Sequence, residues 1–355
     1  MLLPLETFRG AFALVIVLHH LKINTFIHTS NFIQNGGLVV DFFFVLSGFI
    51  IAYNYIGKIN SKKEVIAFQK KRFFRLYPLH LLTLIVFIFI EVLKLLAIRY
   101  TNFQPTYLPF DSFNNYYSLV SNLFLLHGWH GWSYNLPSWS ISTEFYTYLI
   151  FALTIYKSSN QNRIFYLLIF ISLVIFLLEH NGLELLENFI YPTRCIYSFF
   201  IGVLTYYFFN KYSKDVNYIL PLILLILSLI YISQSHNFAM NYRYIFAPLF
   251  FAITIFFTAN LKQNNFYYKI LSNKFFVYLG SISYGIYMIH FAVVWFFRQI
   301  SRFFYNVSEN DNILIFDTHT SLLLTFFTLT LVIFLSHLSL HYFESKFKIK
   351  SKKSF

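Results

Sequence analysis

Charge is scarce in this chain and cysteine is almost absent. Asp, Glu, Lys and Arg make up 12% of 355 residues, and Cys195 is the single cysteine. One cysteine excludes an intramolecular disulfide, a Cys-rich zinc site and a CxxC redox pair. An inert, buried thiol is the simpler expectation for it than a reactive one. HExxH, the P-loop and the dinucleotide glycine fingerprint are also missing. His127 and His130 stand at i, i+3, but no nearby carboxylate completes a metal set, so no metal site is expected. No internal repeat and no Pro- or Ser-rich linker divides the chain.

What is present is apolar. The chain is 57% hydrophobic and 23% aromatic, with 48 Phe. Mean hydropathy is +0.59. These values define an all-α, polytopic integral membrane protein. The apolar runs are too long, and alternate too little, for barrel strands. The net charge of +13 would suggest nucleic acid in a soluble protein. Here it is explained by basic cytoplasmic loops, and no nucleic-acid partner is expected.

About ten transmembrane helices can be drawn, each near the ~20 residues a bilayer requires. Their expected limits are 8–27, 37–56, 79–98, 140–156, 164–180, 195–210, 217–233, 244–260, 278–297 and 321–341. Segment 116–127, "YYSLVSNLFLLH", is too short to span and reads as a re-entrant or interfacial helix. With the N-terminus inside, most of the 27 Lys and Arg fall on the inner side, among them Lys58 to Arg75 and Lys346 to Lys353. The positive-inside rule then puts both termini in the cytoplasm. Residues 1–345 form one membrane domain, and 346–355 a basic cytoplasmic tail against anionic membrane lipids. No cleavable signal peptide and no appended soluble domain are expected.

Charged side chains inside an apolar helix are costly and mark sites by default. "RGAFALVIVLHH" carries Arg9 and His20 with ten residues between them. At 100° per residue they share one helix face, about 16 Å apart along the axis. Arg9 falls at the cytoplasmic end and His20 in or beyond the bilayer middle. That spacing suits a long, thin ligand with a charged head and a reactive tail, such as acyl-coenzyme A. A histidine there can act as general base for a hydroxyl. It equally fits a structural hydrogen bond to a neighbouring helix.

Further islands follow. Asp41, near the outer end of the second span, can orient a histidine, bind a sugar hydroxyl or simply face interfacial water. Arg72 and Arg75 in "KKRFFRLYPLH" share a face at i, i+3, and paired guanidinium groups match phosphate oxygens. Pro78 is expected to open the next span. Glu144 in "NLPSWSISTEFYTYLIF" can pair with an arginine, orient His20 or receive a hydroxyl proton. Trp139 fits an interfacial belt or a sugar-stacking surface. In "LGSISYGIYMIH" the small residues are expected to pack helices, with Tyr284, Tyr287 and His290 on the same span. Glu344, alone among lysines, can brace an arginine of the phosphate site.

Together these islands resemble the acyltransferase family 3 membrane proteins, which include bacterial O-antigen and exopolysaccharide O-acetyltransferases. The resemblance covers nearly the whole chain. It rests on Arg9-x10-His20, "DFFFVLSGF" at 41–49, "RFFRLYP" at 72–78, "WSISTEFY" at 139–146 and "LGSISYGIYMIH" at 279–290. Many members read Val-Glu-Glu where this chain has "STEF", so only Glu144 is carried over. The family implies a bacterial inner-membrane enzyme with acetyl-coenzyme A, or another acyl-coenzyme A, as donor. It implies a sugar hydroxyl of a lipid-linked or exported glycan, such as lipopolysaccharide, as acceptor. By the same resemblance His20 is the catalytic base, Glu144 the essential carboxylate, and Arg9, Arg72 and Arg75 the essential basic positions. Two other readings use the same polar residues: a transporter or flippase of glycan precursors without acyl transfer, and a non-catalytic scaffold.

Overall fold

A computed structural model describes residues 2–101, 108–130, 133–157, 161–180, 189–305 and 313–349. Among them there is no β-sheet; the chain is a bundle of helices. α1 (Leu3–Leu21) opens with Pro4 and Glu6 in its first turn and stops at Lys22, whose φ of 49° is left-handed. Pro tolerates a first turn because that turn has no N–H partner to lose, and an acidic residue complements the dipole there. The expected span 8–27 therefore shifts towards the N-terminus, and His20 sits in the last turn of α1.

A short helix α2 (Asn31–Gln34) and the turn at Gly36–Leu38 lead into α3 (Val39–Tyr55). α4 (Lys62–Tyr100) is 39 residues long, about 58 Å at ~1.5 Å per residue. Its start is fixed by Ser61, whose side chain accepts from the Glu64 N–H. Pro78 lies inside it and does not open a new span. Lys, Glu, Ala and Gln between 62 and 75 are strong helix formers, and they carry the helix through the proline into 79–98. The segment at 116–127 becomes α5 (Tyr116–Leu123), followed by a turn at His127–Trp129. At eight residues it cannot cross a bilayer.

The remaining long helices are α6 (Trp139–Lys157), α7 (Gln161–His180), α8 (Ile190–Tyr212), α9 (Ile219–Gln234) and α10 (Met240–Ala259). After the short α11 (Phe266–Leu271), the expected span 278–297 is broken. α12 (Lys274–Ser281) and α13 (Ser283–Tyr305) meet at Ile282 with a 65° bend. α14 (Thr318–Leu338), capped by Asp317, runs into a π-helical turn at Ser339–Glu344.

Among the described residues six helices are long and apolar enough to cross a membrane, or seven if the bent pair is one span. That is fewer than the ten expected. α1, α6 and α8 fall outside the set because polar groups interrupt them: Arg9, His19 and His20; Ser140, Ser142, Thr143 and Glu144; Thr193 and Arg194. The outer helices show the complementary pattern. Phe170, Ile223, Ile230, Phe326, Phe327 and Phe334 are exposed, which in water would be a contiguous apolar liability but in lipid is solvation.

Two close approaches fix the inner packing. A Cβ on Gly48 would lie 1.9 Å from the Phe199 carbonyl oxygen, and one on Gly202 1.9 Å from that of Val45. Only glycine lets α3 and α8 touch backbone to backbone. Around this seam Phe42, Phe44, Phe49, Phe151, Phe199 and Phe200 form a fully buried aromatic core.

Candidate active site

A cavity of about 220 Å³ opens between α1, α3, α4, α6 and α13. Its lining on α3 runs from Val40 to Ile51, about 16 Å of helix at ~1.5 Å per residue. Arg9, Arg72, Arg75 and Glu144, distant in sequence, all face it.

The three arginines are held differently. Arg9 pairs with Glu6 on its own helix at 2.9 Å. Arg75 pairs with Glu344 at 3.0 Å, and its guanidinium lies over the Tyr284 ring at 5.3 Å. Ser339 donates to the same Glu344 carboxylate at 3.1 Å. The π-helical turn thus presents Glu344 to Arg75, the bracing expected of it. Arg72 has no ion pair among the described residues. It sits over the rings of Tyr55, Phe68 and Tyr148 at 5.6–5.9 Å, donates weakly to the Tyr55 hydroxyl at 3.4 Å, and keeps a buried Nε without a partner. A cation boxed by aromatic rings with a donor to spare is able to receive an anion.

Glu144 accepts from Tyr148 at 2.6 Å, and Tyr148 is 2.8 Å from the Ser47 hydroxyl. At the other end of the cavity Tyr287 donates to the Pro137 carbonyl at 2.8 Å and lies 2.8 Å from the Ser140 hydroxyl. The Tyr284 hydroxyl donates to the Leu76 carbonyl.

His20 does not line the cavity. It lies past Tyr287, whose ring centroid is 5.9 Å from that of His290, and His290 is 5.1 Å from His20. His19 turns away, with Nδ1 2.9 Å from the Ile33 carbonyl. Asp41 joins neither group. It is fully buried, and Arg194 on α8 grips both its oxygens at 2.7–3.0 Å while Ser198 donates at 3.1 Å. Arg194 also donates to the Gly37 carbonyl at 2.7 Å and stacks on Tyr244 at 4.3 Å. With its lone pairs so occupied, Asp41 neither orients His20 nor offers itself to a sugar, contrary to the expectation from sequence. Its geometry is that of a strut between α3 and α8.

His127 and His130 pack against different rings. His127 stacks on His80 from α4 at 5.1 Å, nearly parallel, while His130 packs on Tyr117. Among the described residues no group of three or more His, Cys, Asp or Glu could hold a metal. Cys195 is buried against Thr147. Two contributors escape a sequence reading, Tyr148 and Arg194, while His290 stands out there only as a residue of its span. Only Tyr148 leaves a signal, its i, i+4 spacing from Glu144.

The cavity, lined by three arginines and one glutamate, lies within a bundle whose outer helices are long and apolar enough to cross a membrane. The acyltransferase domain family matches residues 4–341, and the chain belongs to that family, acyltransferase family 3. The matched model is that of an acyltransferase domain, and it spans nearly the whole chain. "Acyltransferase MdmB" of Streptomyces mycarofaciens is 35% identical over 123 residues, which is 33% of this chain and 28% of that protein. No solved structure matches.

Proposed function

We propose that this enzyme moves an acyl group, in the first instance acetyl, from acyl-coenzyme A to a hydroxyl of a surface or exported glycan at a bacterial inner membrane. The observation that carries the donor reading is Arg72, a cation with no ion pair among the described residues, on the wall of a cavity it shares with Arg9, Arg75 and Glu144. The cavity is smaller than the roughly 300–1,000 Å³ of common ligand pockets. It accommodates the slim acyl-pantetheine arm, with the phosphates against the arginines and the nucleotide outside. The glycan acceptor rests on the family resemblance alone. Orientation, with ten spans and both termini cytoplasmic, follows the positive-inside count.

His20 acts as general base. Its Nε2 takes the proton of the acceptor hydroxyl as the oxygen attacks the thioester carbonyl. The tetrahedral adduct collapses, the C–S bond breaks, and the coenzyme A thiolate recovers that proton from His20. Holding donor and acceptor together supplies much of the rate.

The test uses inverted membrane vesicles from cells carrying the protein, which contain its natural acceptor, supplied with acetyl-labelled acetyl-coenzyme A. Label entering the glycan fraction with wild type and not with His20→Ala is the expected result. Glycan export that changes without any label transfer would move the reading to a transporter.

A further inference from the structure

His290 is 0% exposed and is not part of the cavity wall. Its Nδ1 lies 2.7 Å from the Tyr287 carbonyl and 3.2 Å from that of Ile286. Carbonyls only accept, so in the neutral ring Nδ1 carries the hydrogen and Nε2 the lone pair. That Nε2 faces His20 Nδ1 at 3.3 Å. His20 Nδ1 also lies 3.0 Å from the Ile16 carbonyl. Both neighbours of His20 Nδ1 are therefore acceptors, and the hydrogen of His20 must sit on Nδ1, shared between them. The lone pair is left on Nε2.

We infer that His290 is a positioning residue that fixes His20 as its Nδ1–H tautomer and so keeps Nε2 free to take the acceptor's proton. The chain of constraints runs from the α13 backbone through His290 to His20. Each step is set by what a carbonyl can do. When Nε2 takes a proton, the Nδ1–H becomes a charge-assisted donor to His290 Nε2, which steadies the imidazolium where water is scarce. The ring of Phe291, edge-on to His20 at 5.7 Å, limits its rotation. His19 lies beside His20 with ring centroids 5.0 Å apart, but its Nδ1 is taken by Ile33, so it does not compete for the role.

This inference rests on His20 being the base. The test compares wild type, His290→Leu, His290→Gln and His20→Ala in inverted vesicles with labelled acetyl-coenzyme A, at matched amounts of folded protein. Leucine fills the space but accepts nothing. Glutamine places an accepting Oε1 near the position of the imidazole Nε2. His290→Leu is expected to lower kcat about 10- to 100-fold, the size of loss seen when the hydrogen-bond partner that orients a metal-bound histidine is removed, with KM for acetyl-coenzyme A unchanged. His290→Gln is expected to recover most of it. Equal loss in both variants, or none in His290→Leu, overturns the positioning role while the base survives. Transfer that persists in His20→Ala, or a wild type that transfers nothing from acetyl-coenzyme A, removes the reading beneath it and the positioning role together.

Discussion

Tyr148 donates a 2.6 Å hydrogen bond to Glu144 one helical turn before it. The same ring forms one wall of the aromatic box around Arg72. The acidic and basic sides of the cavity are thus joined through a single phenol. Tyr148→Phe keeps the box and deletes the hydroxyl that steadies Glu144. Loss of a buried bond to a charged group costs about 1.5–3 kcal/mol. Acyl transfer is expected to fall by roughly tenfold or more, with KM for the acyl donor changed less than threefold; steady-state kinetics on vesicles checks this.

Arg72 contributes through its bare charge and its fork of donors. Arg72→Ala is expected to raise KM for acetyl-coenzyme A about 10- to 100-fold, in line with one lost charge-assisted contact. Arg72→Lys recovers part of this, since lysine brings charge without the planar fork. A variant that shifts kcat alone would take the phosphates away from Arg72.

Asp41 and Arg194 form a fully enclosed pair. Breaking it from one side strands a buried charge and costs about 3–5 kcal/mol. Asp41→Asn and Arg194→Leu are each expected to lower the melting temperature strongly in detergent. The double variant Asp41→Leu with Arg194→Leu is expected to recover much of it. Residual activity per folded molecule should stay near wild type in each. A selective loss of activity in stably folded Asp41→Asn would return Asp41 to the catalytic set.

Gly48 and Gly202 allow the α3–α8 contact, where an added Cβ would fall 1.9 Å from a backbone oxygen. No side-chain rotation relieves a clash with backbone. Gly202→Ala is expected to abolish the monodisperse peak in fluorescence-detected size-exclusion chromatography. Gly57→Ala, at a position with nothing within 4 Å, is expected to keep the peak; its φ of +78° makes the cost one of local strain only.

Much of this arrangement was legible beforehand, and the reason differs by residue. Arg9, Arg72, Arg75 and Glu144 stood out because charge in an apolar helix demands a partner or a role, and the fold brings all four to one cavity. Glu344 was visible for the same reason. Asp41 misled because the same rule has two outcomes. Its partner Arg194, far along the chain, stands one residue before the expected span 195–210. Helix limits failed where caps and propensity overrode hydropathy: Ser61 starts α4 well before Pro78, and the Ile282 break divides a run that looks continuous. The spans expected at 140–156 and 195–210 do fall within α6 and α8, whose polar groups set them apart from the lipid-facing helices. His290 was present in the pattern, but its hydrogen bonds to its own helix and to His20 exist only after folding.

The most direct measurement is mass spectrometry of surface glycans from cells with wild-type protein, His20→Ala protein or none, at matched protein levels. Glycan from wild-type cells should carry an acetyl-sized increment that is absent from both others. An increment that persists with His20→Ala would contradict base catalysis by His20.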